Sequence, residues 1–158
     1  MFGNSDVHAP MPVFAPGKHR TMTLVFARSA TPEAIREALN ERRTAVYHEE
    51  FVIGEEKYLK ELFENALEWE IRKNNNIVTI TVRNNSDFTF RLKKTKHDAR
   101  LVYFRNMSIQ PFTIAPKGVH SFTVRLLEGV KGGDINFCVD NFLTLPDKGM
   151  NYTVKITD

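Results

Sequence analysis

The hydrophobic period of this 158-residue chain changes at Trp69, and that change limits the folds open to it more than any other feature. Beyond Trp69 the apolar residues fall on every second position, the period of a strand with one buried face. Val78, Ile80 and Val82 alternate with threonines, residues 84–87 read Asn-Asn-Ser-Asp, and Phe88, Phe90 and Leu92 alternate again. This pattern predicts a β-hairpin. Further strands are expected over 100–104, 110–114, 120–126, 135–139 and 151–156, with turns at Pro116-Lys117-Gly118 and Gly132-Gly133-Asp134. Seven short strands at near-regular spacing, with no convincing helix among them, predict an antiparallel two-sheet sandwich of immunoglobulin-like type over residues 70–158.

Residues 1–69 have a different rhythm. Prolines at 10, 12 and 16 with glycines at 3 and 17 forbid a long helix near the start. A short apolar strand is expected over 23–27. Thr31-Pro32-Glu33 is then a helix start in which a hydroxyl caps, a proline presets φ and an acid meets the positive dipole end. That helix should run to about Arg43. A strand over 44–47 and a second helix over 55–68 follow, the latter with Tyr58, Leu59, Leu62, Phe63, Ala66 and Leu67 on one stripe. Strand, helix, strand, helix is the cadence of an α/β unit, and so few elements do not close a core alone. The expected whole is therefore α+β, with an α/β part at 1–69 and a β-sandwich at 70–158.

Charge and cysteine content exclude several functions. The 22 basic and 19 acidic residues are mixed along the chain, so a net charge of +3 gives no reason to expect a nucleic-acid partner. Arg91-Leu92-Lys93-Lys94-Thr95-Lys96-His97 is the densest basic run, and lysines on a strand edge serve solubility by discouraging pairing between molecules. Cys138 is the single cysteine, which forbids an internal disulfide, and its apolar neighbours predict a small buried side chain. No stretch reaches the roughly 20 apolar residues that span a bilayer, and the first residues lack the form of a secretory signal, so a soluble chain without a membrane partner is expected.

One segment carries the chemistry of a site. In Gly3-Asn4-Ser5-Asp6-Val7-His8, residues two apart on an extended backbone project to the same side, so Asp6 and His8 can face one cation. A carboxylate with an imidazole suits zinc, manganese or iron better than calcium. Four motifs then stand in order: this hexapeptide, His19-Arg20-Thr21-Met22-Thr23-Leu24-Val25-Phe26-Ala27, the Thr31-started helix with Glu37-Ala38-Leu39, and Arg43-Thr44-Ala45-Val46. Together they resemble the end of a PHP domain, the polymerase and histidinol phosphatase superfamily of metal-dependent phosphoesterases. Ile53-Gly54-Glu55-Glu56-Lys57-Tyr58-Leu59 likewise resembles the linker helix of bacterial PHP proteins that carry a C-terminal β domain.

The resemblance implies that residues 1–69 are the C-terminal remnant of a PHP-type hydrolase domain, the end of its barrel. It implies that Asp6 and His8 are metal ligands, with His19 and Arg20 within reach of a substrate phosphate. It also implies that the divalent metal and the phosphoester belong to an intact parent. The early His-x-His pair of that family is absent from this sequence. The expectation is a C-terminal portion that holds no metal tightly, is inactive alone, and has the missing N-terminal part of the PHP domain as its partner. The alternative is a non-catalytic sandwich that binds carbohydrate or protein through Tyr103, Phe104, Phe112 or Phe142. The apolar stripe of the second helix and the strands near the start further suggest a homo-oligomer.

Overall fold

The computed structural model describes residues 1–5, 19–103 and 111–157. In chain order the elements are β1 (Met22–Val25), α1 (Pro32–Asn40), β2 (Thr44–His48), β3 (Phe51–Gly54), α2 (Glu56–Ala66), β4 (Leu67–Asn74) and β5 (Ile77–Asn84). They continue as β6 (Phe90–Lys94), β7 (Leu101–Tyr103), β8 (Phe112–Ile114), β9 (Val119–Leu126), β10 (Gly133–Leu145) and β11 (Lys148–Ile156).

Local chemistry sets the element ends. Thr31 caps α1 by accepting from the Ala34 N–H at 3.4 Å, with Pro32 in the first turn. The helix stops at Asn40, short of the expected Arg43. Arg42 takes a left-handed conformation (φ 58), and the Arg43 N–H returns to the Ala38 carbonyl at 2.8 Å, a closure that satisfies a terminal carbonyl. α2 ends at Ala66 because Leu67 is already extended (φ −114, ψ 133), and the chain passes straight into β4. β4 was not foreseen: its exposed face carries Glu68, Glu70 and Arg72, and charge there masks the strand period.

Two sheets pack face to face. One has seven strands in the order β1-β2-β3-β10-β6-β8, with β11 on the other edge of β10; the second has four in the order β4-β5-β9-β7. Their buried side chains form one core. It includes Val78, Ile80 and Val82 of β5, Phe90 and Leu92 of β6, Phe122 and Val124 of β9, and Ile135, Phe137 and Val139 of β10. Tyr47, Val52, Leu59 and Phe63 from the first part of the chain pack in that same cluster.

The architecture is thus a mostly β sandwich of immunoglobulin-like form. The expected α+β chain with an α/β PHP barrel remnant at its start is not what the structure contains. A βαβ unit of a barrel needs parallel strands, whereas β1 and β2 lie antiparallel with Val25 opposite Thr44, and β2 and β3 are antiparallel with Val46 opposite Ile53. β3, of which Ile53 and Gly54 were read as the start of a linker helix, joins β10 in parallel through Val52–Phe142 and Ile53–Leu143. The three early strands therefore extend a sheet of the sandwich.

The expected hairpin of residues 78–92 is also revised. β5 pairs with β4 and β9, while β6 pairs with β10 and β8, so the turn at 84–87 carries the chain from one sheet to the other. Buried Asn84 holds that crossover. Its amide donates to the Phe88 and Ala115 carbonyls at 2.6 and 2.9 Å, and its oxygen accepts from the Ser86 N–H and hydroxyl at 2.9 and 2.7 Å. Among the described residues no helix is long and apolar enough to cross a membrane.

Candidate functional site

The motifs with chemical content gather at the β1–β2 end of the seven-stranded sheet. Thr23 and Thr44 project from one face of these strands and hold the first residues across it. The Thr23 hydroxyl accepts from the Gly3 N–H at 2.9 Å and donates to the Gly3 carbonyl at 3.1 Å. The Thr44 hydroxyl accepts from the terminal ammonium of Met1 at 3.2 Å and donates to the Met1 carbonyl at 2.8 Å. Gly3 makes a close approach there. A Cβ at that position would stand 2.7 Å from Cγ1 of Val46 and 2.9 Å from Cγ2 of Thr21. Asp6 and His8, the expected metal ligands, lie outside the described residues.

His19 and Arg20 are both half-buried. The His19 Nδ1 lies 2.7 Å from the Arg20 carbonyl and its Nε2 lies 3.0 Å from the Glu49 carbonyl, while the ring packs at 3.8 Å between centroids on Tyr47. Both ring nitrogens face backbone oxygens, and a neutral imidazole donates to only one of them. In this arrangement His19 ties the start of β1 to the β2–β3 turn. Next to it, Nδ1 of His48 meets the Thr21 hydroxyl at 2.6 Å. Burial, aided by Glu50 and Asp87, pushes the Tyr47 phenol up.

Among the described residues no three His, Cys, Asp or Glu side chains stand together so as to hold a metal ion. A catalytic zinc site draws on about three protein ligands, so the described residues do not fit a self-contained metal centre, and no reaction step is derived through one. Cys138 is half-buried, and burial with the nearby Asp140 pushes its thiol up, away from thiolate chemistry.

The remaining candidates are spent on structure. The basic run divides between faces, since β6 alternates. Arg91 bonds Asp140 at 2.8 Å, and the Lys94 ammonium sits 3.6 Å above the Tyr103 ring, where burial lowers its pKa. Phe142 is fully buried, and Phe112 stacks on His120 at 4.3 Å. Tyr103 lies beneath Lys94, and Phe104 lies outside the described residues. One surface depression is lined by Lys96, Asn136 and Asn151 with Phe137 and Tyr152, and another by Glu68, Glu70, Thr81 and Arg83 with Trp69.

Sequence reasoning missed two polar centres. Asp98 accepts from the Arg100 guanidinium at 2.6 Å and from the Arg100 and Asp134 N–H groups at 2.9 and 2.8 Å; Arg100 holds its carboxyl well below the usual range. Asn141, fully buried in β10, donates to the Glu50 and Thr89 carbonyls at 2.7 and 2.8 Å and accepts from the Arg91 N–H at 2.9 Å. Asp98-x-Arg100 carried a local signal in its spacing. Asn141 carried none, because its partners are 50 and more residues away.

Residues 67–155 match a protein family described as an Ig-like domain. Among solved structures, the chain is similar to a two-domain protein from Bacteroides vulgatus containing a predicted PHP-like metal-dependent phosphoesterase. The identity is 43%, the TM-score is 0.87, and the match covers 98% of this chain and 45% of that one. The part matched is the C-terminal part of that protein. No curated protein matches the chain.

Proposed function

The chain belongs to this family of Ig-like domains, and on that premise we propose that it is the accessory C-terminal part of a PHP-like metal-dependent phosphoesterase and does no chemistry alone. The observation that carries this reading is the likeness to the two-domain Bacteroides protein, at 43% identity over 98% of the present chain. The motifs of residues 3–69 fall within the stretch over which that likeness holds. On this reading the zinc, manganese or iron ions and the phosphoester are held by the rest of the polypeptide, which is the partner of this domain. Asp6 and His8 are then the ligands that this chain contributes to that centre, and His19 and Arg20 serve the substrate phosphate.

Two measurements test the proposal. Metal content and hydrolysis of p-nitrophenyl phosphate, with manganese or zinc added, are compared between this chain and the intact two-domain relative. Turnover and retained metal are expected only in the latter. Turnover by the 158-residue chain that disappears in Asp6→Ala defeats the accessory assignment, and a two-domain relative inert with every metal defeats the phosphoesterase assignment.

A further inference from the structure

In a two-sheet sandwich the outward face of each sheet meets solvent and is polar, and the seven-stranded sheet obeys this over β6, β11 and the first part of β10. On the side away from the core, Lys93 lies opposite Cys138, Thr153 opposite Asn136 and Lys155 opposite Asp134. Over β1–β3 the same face changes character. These three strands contain no Asp, Glu, Lys or Arg. Leu24, Ala45, Tyr47 and Val52 turn toward the core, so the period of two sends Thr23, Val46 and Ile53 outward. The register makes a row of them: Thr23 opposite Val46, Val46 opposite Ile53, and Ile53 opposite Leu143 of β10. Val25, Ile53 and Leu143 are only half-buried. The first residues lie across this row, because Met1 and Gly3 bond the outward hydroxyls of Thr44 and Thr23 and Gly3 sits against Val46. The side chains of Met1 and Phe2 remain 61% and 68% exposed. An uncharged strand face with two large apolar side chains left in water on it has the composition of an interface core.

We propose that this face, the outer side of β1–β3 with Met1 and Phe2 upon it, is the seat of the hydrolase domain that precedes the Ig-like part in the same polypeptide; the proposal deepens the accessory reading and rests on it. Connectivity selects this occupant. The likeness to the Bacteroides protein takes in 98% of this chain, yet it covers 45% of that one and lies in its C-terminal part. The larger share of that polypeptide therefore precedes the match and joins it at the stretch equivalent to the first residues here. Those are the residues seated on the apolar row, so a domain attached there meets this face before any other. The contact is apolar on this side, and its counterpart is an uncharged aliphatic or aromatic surface. Salt does not weaken such a contact, because there are no charges to screen.

Hydroxyl-radical footprinting on two intact proteins, this chain and the two-domain Bacteroides relative, tests the proposal. Labelling of each peptide is normalised to the same protein unfolded in urea. The peptides that carry Val25, Ile53 and Leu143 are expected to be oxidised readily in this chain and to lose most of that labelling in the relative, while the peptides of β11 label alike in both. Equal labelling of β1–β3 in the two proteins overturns the proposal. Protection of β1–β3 in this chain alone that grows with its concentration also overturns it, since it assigns the face to a second copy. Neither outcome touches the accessory reading, which metal content and turnover decide.

Discussion

Asn141 shows how one amide decides a topology. β10 cannot pair with β6 and β3 at the same residue, and the gap between these neighbours leaves the Glu50 and Thr89 carbonyls and the Arg91 N–H without ladder partners. The Asn141 side chain supplies all three bonds from a fully buried position. An unmet buried polar group costs about 1–3 kcal/mol. Asn141→Ala is therefore expected to lower stability by about 2–4 kcal/mol, read as a fall in the urea midpoint at unchanged m-value. Asn141→Asp, which turns a carboxylate toward two carbonyl oxygens, should be no better.

Asp98 makes a prediction in pH. Its folded pKa is depressed from the ordinary 3.8 by the Arg100 guanidinium and the Asp134 and Arg100 N–H groups. A depressed carboxylate contributes stability that is fully present above its unfolded pKa and is lost as pH falls toward the folded value. Urea midpoints of the wild type and Asp98→Asn should therefore differ by a constant amount at neutral pH and converge below about pH 4. A gap that persists unchanged to pH 2 assigns the effect to something other than the charge.

Among the elements, α2 packs on the sandwich through Phe63, whose ring meets those of Phe90, Phe142 and Tyr152. Phe63→Ala leaves a cavity in a zone of rings and is expected to cost about 3–5 kcal/mol; thermal unfolding checks it against Phe2→Ala, where the ring is exposed and no loss is expected. Both helices were legible in the sequence, since capping and the apolar stripe are local. So were the strands of the sandwich that alternate cleanly, β5 and β9 above all. What local pattern does not encode is which edge a strand joins. The β-α-β-α cadence of residues 22–66 suits a parallel barrel and an antiparallel extension equally, and what separates them is the pairing of the strands, antiparallel at Val25–Thr44 and Val46–Ile53. The supposed hairpin at 78–92 failed for a like reason: the Asn84 network that bends the chain between sheets reaches Ala115, 31 residues on. Of the candidate site, Asp6 and His8 lie outside the described residues, and the engagement of both His19 nitrogens by backbone depends on the β2–β3 turn, which no spacing announced.

For the whole molecule, the placement of Trp69 turns the question of one body or two into an optical measurement. It is the only tryptophan, and from β4 of one sheet it stacks at 6.1 Å on Tyr152 and 6.4 Å from Phe137 of the other. Its emission therefore reports the closure of the sandwich. Helical ellipticity reports α1 and α2, which lie wholly before residue 67. If the early strands and helices were a separate remnant leaning on the sandwich, the two signals would unfold at different urea concentrations, the smaller part first. Because Phe63 and Val52 share the core of β5 and β10, the two curves are expected to coincide in midpoint and slope, as two-state unfolding of one unit requires. In Phe63→Ala both curves should shift together; a helical signal that shifts while Trp69 emission keeps its midpoint would show that the core is divisible at residue 67.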